Sequence, residues 1–174
     1  MASLEGCFRL MTVEVTDREV RVVLIVYVDA DACPVKDEVY RVAQRYSIRV
    51  VVVANATLRV PTSPLVELAI RTGFGGADDY IAERIGTGDI AITADIPLAA
   101  RCLAAGGQVL DPRGRAITDN EIGQMLGMRD LMDTLRQSGE VSGGPPPMAA
   151  KDRSRFLSKL DDVLNAMRRA HPPQ

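Results

Sequence analysis

The chain has 174 residues, with 21 Lys and Arg against 23 Asp and Glu and a formal net charge of −2; it can bury a sizeable core unaided and exerts no global pull on nucleic acid. Aromatic residues make up 4% with no tryptophan, which argues against a sheet that stacks bases on exposed rings. Cys7, Cys33 and Cys102 are widely spaced without a CxxC pair, and His171 is the single histidine, which excludes disulfide frameworks, Cys/His zinc sites and His-based triads.

Residues 1–20 contain Glu5, Arg9, Glu14, Asp17, Arg18 and Glu19, so they lack the apolar core of a signal peptide and read as an N-terminal extension. No apolar run approaches the roughly 20 residues of a membrane-spanning helix. The expectation is a soluble cytoplasmic protein with no membrane partner.

Residues 22–28 form an unbroken apolar, mostly β-branched run, too short for a membrane and without polar alternation. That pattern predicts a strand buried on both faces, as in a parallel sheet. It ends in Asp29 and Asp31, where open α/β sheets bind their ligands. Pro34 suits the first turn of a helix, and Val35, Val39, Val42, Ala43 and Tyr46 continue it at helical spacing. Residues 48–54 are a second buried strand, which completes a right-handed parallel βαβ unit. Residues 65–70 are ambiguous and are assigned to a strand. Residues 73–76, Gly-Phe-Gly-Gly, form a flexible turn before a helix over 77–85 with an acidic first turn. A strand over 90–95 ends in Asp95, Pro97 opens a helix to residue 105, and residues 109–110 form the last strand, ending in Asp111. Thr118 and Glu121 form a capping box, with helix to about residue 125 and again over 128–137, where Leu131, Met132 and Leu135 point inward and Met128 and Met132 are core. Residues 21–138 make the α/β domain and residues 139–148 a Gly/Pro linker. Residues 149–174 supply a helix packed on the domain through Phe156, Leu160, Val163, Leu164 and Met167, then a tail that contains His171.

Asp29, Asp31, Asp78, Asp79, Asp95 and Asp111 thus fall at element ends that a parallel sheet gathers along one edge. Carboxylates 4 Å apart repel by about 1 kcal/mol in water and about 4 kcal/mol at an effective dielectric of 20, so grouping them requires a cation. All-oxygen ligands without imidazole or thiolate favour Mg²⁺ or Mn²⁺, and a metal-activated water attacking a phosphodiester is the chemistry that follows. The competing explanation is that aspartate is common in turns and caps, which is also the expectation for Asp37, Asp89 and Asp119.

The segments YVDADACPVK (27–36), GADDYIA (76–82), ITADIPLAA (92–100), LDPRG (110–114), MRDLM (128–132), GGPPP (143–147) and KDRSRF (151–156) resemble the bacterial YaiI/YqxD family over roughly residues 25–164. Members usually begin at the first strand, so residues 1–20 are an addition or a mistaken start, with Met11 an internal candidate. The resemblance implies a three-layer α/β, PIN-like fold with a mainly parallel central sheet and C-terminal helices. It also implies an acidic, metal-dependent nuclease site, and the leading expectation is a Mg²⁺- or Mn²⁺-dependent nuclease acting on RNA. Similarity to flap-type 5′ nucleases makes Asp29, Asp79 and Asp95 the first choices as metal-binding catalytic residues, with Asp31, Asp78 and Asp111 second.

Other residues carry double readings. Lys36 and Arg101 either meet substrate phosphates or are solvated or ion-paired. Cys33 at a helix start is read as packing rather than a reactive thiol. Lys151, Arg153 and Arg155 form either an RNA-contacting patch or an ordinary charged face. Two other functions stay open: a haloacid dehalogenase-like phosphatase with Asp29 as nucleophile and Asp31 as acid/base, and a non-catalytic RNA- or protein-binding module.

Overall fold

The structure, a computed structural model, describes residues 24–144 and 146–170. The N-terminal extension, Cys7 and His171 lie outside the described residues. The elements are β1 (Ile25–Asp29), α1 (Lys36–Tyr46), β2 (Arg49–Ala54), β3 (Val66–Ile70), α2 (Gly76–Arg84), β4 (Ile90–Ile92), α3 (Ile96–Ala104), β5 (Gln108–Leu110), β6 (Ala116–Ile117), α4 (Asp119–Gln137) and α5 (Ala150–Ala170). The sheet order is β3-β2-β1-β4-β5-β6, parallel throughout except for β6. β1 is central, and the chain winds outward from it in both directions. Its C-terminal end is therefore the switch point of the sheet, where two departing loops open a crevice.

The absence of polar alternation in β1 and β2 has a direct cause: both sheet faces are covered. Val26, Val28, Val50, Val52, Ile90, Ile92 and Leu110 share one cluster with α1 and with Phe156, Leu160, Leu164 and Met167 of α5. Tyr27, Val51, Val53, Ala91 and Val109 face the other cluster, with Ile81 of α2 and Leu98 and Cys102 of α3. The result is a three-layer α/β/α arrangement. Because side chains alternate with a period of two, Asp29 falls on the same face as Tyr27, Thr93 on that of Ala91 and Asn55 on that of Val53. The pleat sends Asp29 towards α2 and α3, while Asn55 and Thr93 directly follow the ends of β2 and β4.

α5 is held by more than its apolar stripe. Asp152, buried in its first turn, accepts from the Ala149 N–H at 2.9 Å and pairs with Arg113 at 3.2 Å. Arg153 donates to the Pro34 carbonyl at 2.8 Å and meets Glu38 at 3.3 Å, so it is spent on structure. Gly114, at φ +82°, lets the β5–β6 turn press on α5: a Cβ there would stand 3.0 Å from Phe156 Cα.

Four expectations change. The expected strand over 90–95 ends at Ile92, because the chain turns at Thr93 towards α3. The strand over 109–110 is not the last: Asp111 closes a turn, and Ala116 and Ile117 return antiparallel against Leu110 and Val109. Residues 119–137 form one continuous helix, with Thr118 Oγ1 bonded to the Glu121 carboxylate rather than to the helix backbone. Met128 and Leu131 are exposed, not core. At about 1.5 Å per residue, the 19 residues of α4 outrun the nine of α3, and only Ile122 and Met125 at its start pack on the sheet-side cluster. No helix among the described residues is long and apolar enough to cross a membrane.

Candidate active site

The crevice at the end of β1 holds a cavity of about 240 Å³ lined by Asp29, Asp31, Asn55, Gly75, Asp78 and Asp95, with Ala32 and Ala77 filling its walls. Each carboxylate arrives from a different local rule. Asp29 is the last residue of β1 and is buried; its Oδ2 accepts from the Thr93 hydroxyl at 2.8 Å. Asp31 lies two residues on in the turn, and its Oδ2 accepts from the Asn55 N–H at 3.3 Å. Asp95 is the N-cap of α3: its Oδ1 accepts from the Leu98 N–H at 2.8 Å, and its own N–H donates to Thr93 Oγ1 at 3.0 Å. Asp78 stands in the first turn of α2, and no hydrogen-bond donor meets its carboxylate among the described residues.

Thr93 therefore ties two of the walls together, giving its proton to Asp29 and accepting the Asp95 N–H. It is fully buried. Burial is the chief reason the Asp29 carboxyl is raised above its ordinary value; the Thr93 hydrogen bond opposes this, and Asp78, Asp31 and Asp95 push it further up. Asp78 is raised as well, by burial first and then by Asp95, with Arg101 opposing. Both groups hold a proton more readily than a free aspartate.

This donor set fits a hard divalent cation in kind: carboxylate and amide oxygens, with no thiol or imidazole among them. Among the described residues no three Asp, Glu, His or Cys side chains converge closely enough to enclose an ion. A Mg²⁺ ion needs only one or two carboxylates, because water and substrate phosphate complete its shell. One or two of Asp29, Asp31, Asp78 and Asp95, which line the cavity, would hold it.

A family model described as "Uncharacterized BCR, YaiI/YqxD family" matches residues 27–166, which carry all four cavity aspartates. The chain belongs to the YaiI/YqxD family. It is similar to the "UPF0178 protein" of Rhodopseudomonas palustris strain BisB5, with 54% identity over 151 residues, 85% of this chain and 92% of the relative. A "UPF0178 protein" of Nitrobacter winogradskyi is 55% identical over 145 residues, 83% of this chain and 92% of its own.

In this YaiI/YqxD-family chain the remaining candidates stand apart from the cavity. Asp79 is mostly exposed and pairs with Arg101 at 2.8 Å, so each occupies the other. The Lys36 ammonium donates to the Ala30 and Cys33 carbonyls, both at 3.0 Å, and stiffens the β1–α1 loop. Asp111 Oδ1 accepts from the Arg113 and Arg115 N–H groups at 2.9 and 2.8 Å and shapes the β5–β6 turn. Cys33 is buried, with its thiol pushed up to about 11, chiefly by that burial, which makes it inert at neutral pH. Sequence reasoning missed Thr93. Its signal was a hydroxyl at the one inward position between Ala91 and Asp95, where another apolar residue would continue the strand.

Proposed function

We propose that this YaiI/YqxD-family protein is a Mg²⁺- or Mn²⁺-dependent phosphodiester hydrolase acting on RNA, with the cavity aspartates as its catalytic centre. The observation that carries the reading is the under-satisfied state of those carboxylates. Four of them face one cavity, Asp78 has no donor among the described residues, and both Asp29 and Asp78 are raised, chiefly by burial and further by neighbouring carboxylates. Such an arrangement is costly without a cation, and aspartates used only as caps have no need of it.

The metal, when bound, would lower the pKa of a water and offset negative charge on the scissile phosphate. The chain's own contributions follow from position. Asp29, oriented by Thr93 and inclined to take a proton, suits the general base. Asp95 keeps one oxygen on the Leu98 N–H and has the other free for the cavity. Asp31, tied to Asn55, fixes the opening loop. With Asp78 inside and Asp79 paired to Arg101, α2 contributes Asp78 to the centre and Asp79 to its support. The cavity walls include no lysine, and Lys36 is engaged with carbonyls, which favours this reading over a phosphatase that needs a cation beside a phosphorylated Asp29.

In a metal titration of the full chain, Mn²⁺ raises the melting temperature, and Asp95→Asn abolishes the rise. The same preparation cleaves single-stranded RNA with Mg²⁺ or Mn²⁺ and loses that activity on chelation. An unchanged melting curve in millimolar Mn²⁺, together with intact RNA, removes the proposal; a beryllofluoride adduct on Asp29 would transfer it to the phosphatase.

A further inference from the structure

At 240 Å³ the cavity is smaller than the usual small-molecule pocket of about 300–1,000 Å³ and has room for a phosphate-sized group rather than a whole nucleotide chain. What stands outside is Phe74. It lies one residue from Gly75 of the cavity wall, a Cα step of about 3.8 Å, and its relative exposure is 110%. Of the three phenylalanines in the chain, Phe156 is fully buried while Phe74 has no packing at all.

The loop is built to hold it there. Gly73 at φ +98° and Gly75 at φ +73° adopt a backbone that L side chains rarely enter, and the Gly76 N–H closes the turn on the Gly73 carbonyl at 3.3 Å. A Cβ at Gly73 or Gly75 would meet nothing within 4 Å, so the positive φ, not crowding, requires glycine, and the space around the ring is open. At the base of the loop Arg71 lies 4.1 Å from the Tyr80 ring centroid and donates to the Ile70 carbonyl, with no carboxylate partner among the described residues. Arg84 lies 3.8 Å from the same ring. The loop thus sets a bare aromatic side chain three residues from a guanidinium that is stacked on Tyr80 but has no carboxylate partner among the described residues.

We propose that Phe74 is a stacking platform for an unpaired nucleobase of single-stranded nucleic acid, with Arg71 meeting the flanking backbone and the adjoining phosphodiester entering the acidic cavity. This rests on the proposed hydrolase reading. It sets a preference for unpaired strands, because a base held in a duplex cannot offer its face to the ring.

The chain has no tryptophan, so Phe74→Trp places a single reporter at the tip of the loop. In full-length protein with Mg²⁺, a short single-stranded oligonucleotide quenches that tryptophan, and the same strand with abasic sites does not. Phe74→Ala weakens binding of the normal strand about 5- to 100-fold at an unchanged melting temperature, and Phe74→Trp restores it. If the wild type binds and cleaves the strand while Phe74→Ala binds equally well and Phe74→Trp stays unquenched, the platform is overturned and the hydrolase reading survives. If the wild type binds no single strand, the platform falls with nucleic acid as substrate, and a protein partner becomes the explanation of Phe74; the Mn²⁺ melting shift then decides separately whether the cavity is a metal site.

Discussion

β1 has a buried aspartate at each of its ends, and the two are treated in opposite ways. At its start, Asp89 accepts from the Ile25 N–H with one oxygen and from the Gly86 N–H with the other, both at 3.0 Å. At its finish, Asp29 has the Thr93 hydroxyl and faces three further carboxylates. Both carboxyls are raised chiefly by burial, but at Asp89 backbone donors oppose the rise, whereas at Asp29 neighbouring charges add to it. One aspartate is a brace that closes its own hydrogen-bond account. The other has a single hydroxyl donor and stands among like charges, which is the difference the proposed function rests on.

The sharpest way to break this comparison is to exchange the roles by mutation. Asp29→Asn should cost at least about 100-fold in metal-dependent cleavage with little loss of stability, and Thr93→Val about 10- to 100-fold in metal affinity, since it orients a ligand. Equal activity in Asp29→Asn and wild type would end the distinction. Next in size, Asp89→Ala strands two backbone N–H groups and should cost roughly 1–3 kcal/mol, read as a melting temperature several degrees lower, with activity per folded molecule retained.

The pH dependence sharpens the contrast further. The Asp78 carboxyl sits above 3.8 in the fold, so between 3.8 and its raised value the native state binds more protons than the unfolded chain. Stability from this group therefore falls as pH rises through that window and stays low above it. Without metal, urea titrations across pH should show the stability difference moving in favour of Asp78→Asn as pH rises from 3.8 towards neutrality; saturating Mg²⁺ should remove that trend from the wild type. A difference independent of pH would show that Asp78 is not strained by its surroundings. The smallest effect belongs to Asp79→Asn, which breaks an exposed pair with Arg101 and should change stability by about 0–1 kcal/mol. Its cleavage rate should stay well above that of Asp78→Asn, and the reverse order would return Asp79 to the centre.

Much of this was legible in the chain because both faces of the sheet are covered. The apolar runs of β1 and β2 and the positions of Asp29, Asp31 and Asp95 follow from strand length, pleat and the proline after each turn. Asp79 was ranked above Asp78 by resemblance, whereas Asp78 lines the cavity; neighbours on a helix point about 100° apart, and the choice depends on how α2 rotates to bury Ala77 and Ile81. Asp111 entered the set with Asp95, though ranked below it, because both follow a strand, but the Arg113 and Arg115 N–H groups fold back to satisfy it. The composition argument against stacked bases concerned a sheet surface, and Phe74 stands on a loop. The exposed Met128 and Leu131 were read as core because periodicity shows a helix to have an apolar side without showing what lies opposite.

The closing of the α1 face by Phe156, Leu160, Leu164 and Met167 bears on how the protein is made. During synthesis the sheet strands leave the ribosome well before residues 150–170, so Val26, Val28, Val50 and Val52 wait with α1 as their partial cover. A chain stopped before α5 would leave that apolar face open. The last described helix thereby seals that face of the sheet only once residues 150–170 have been made.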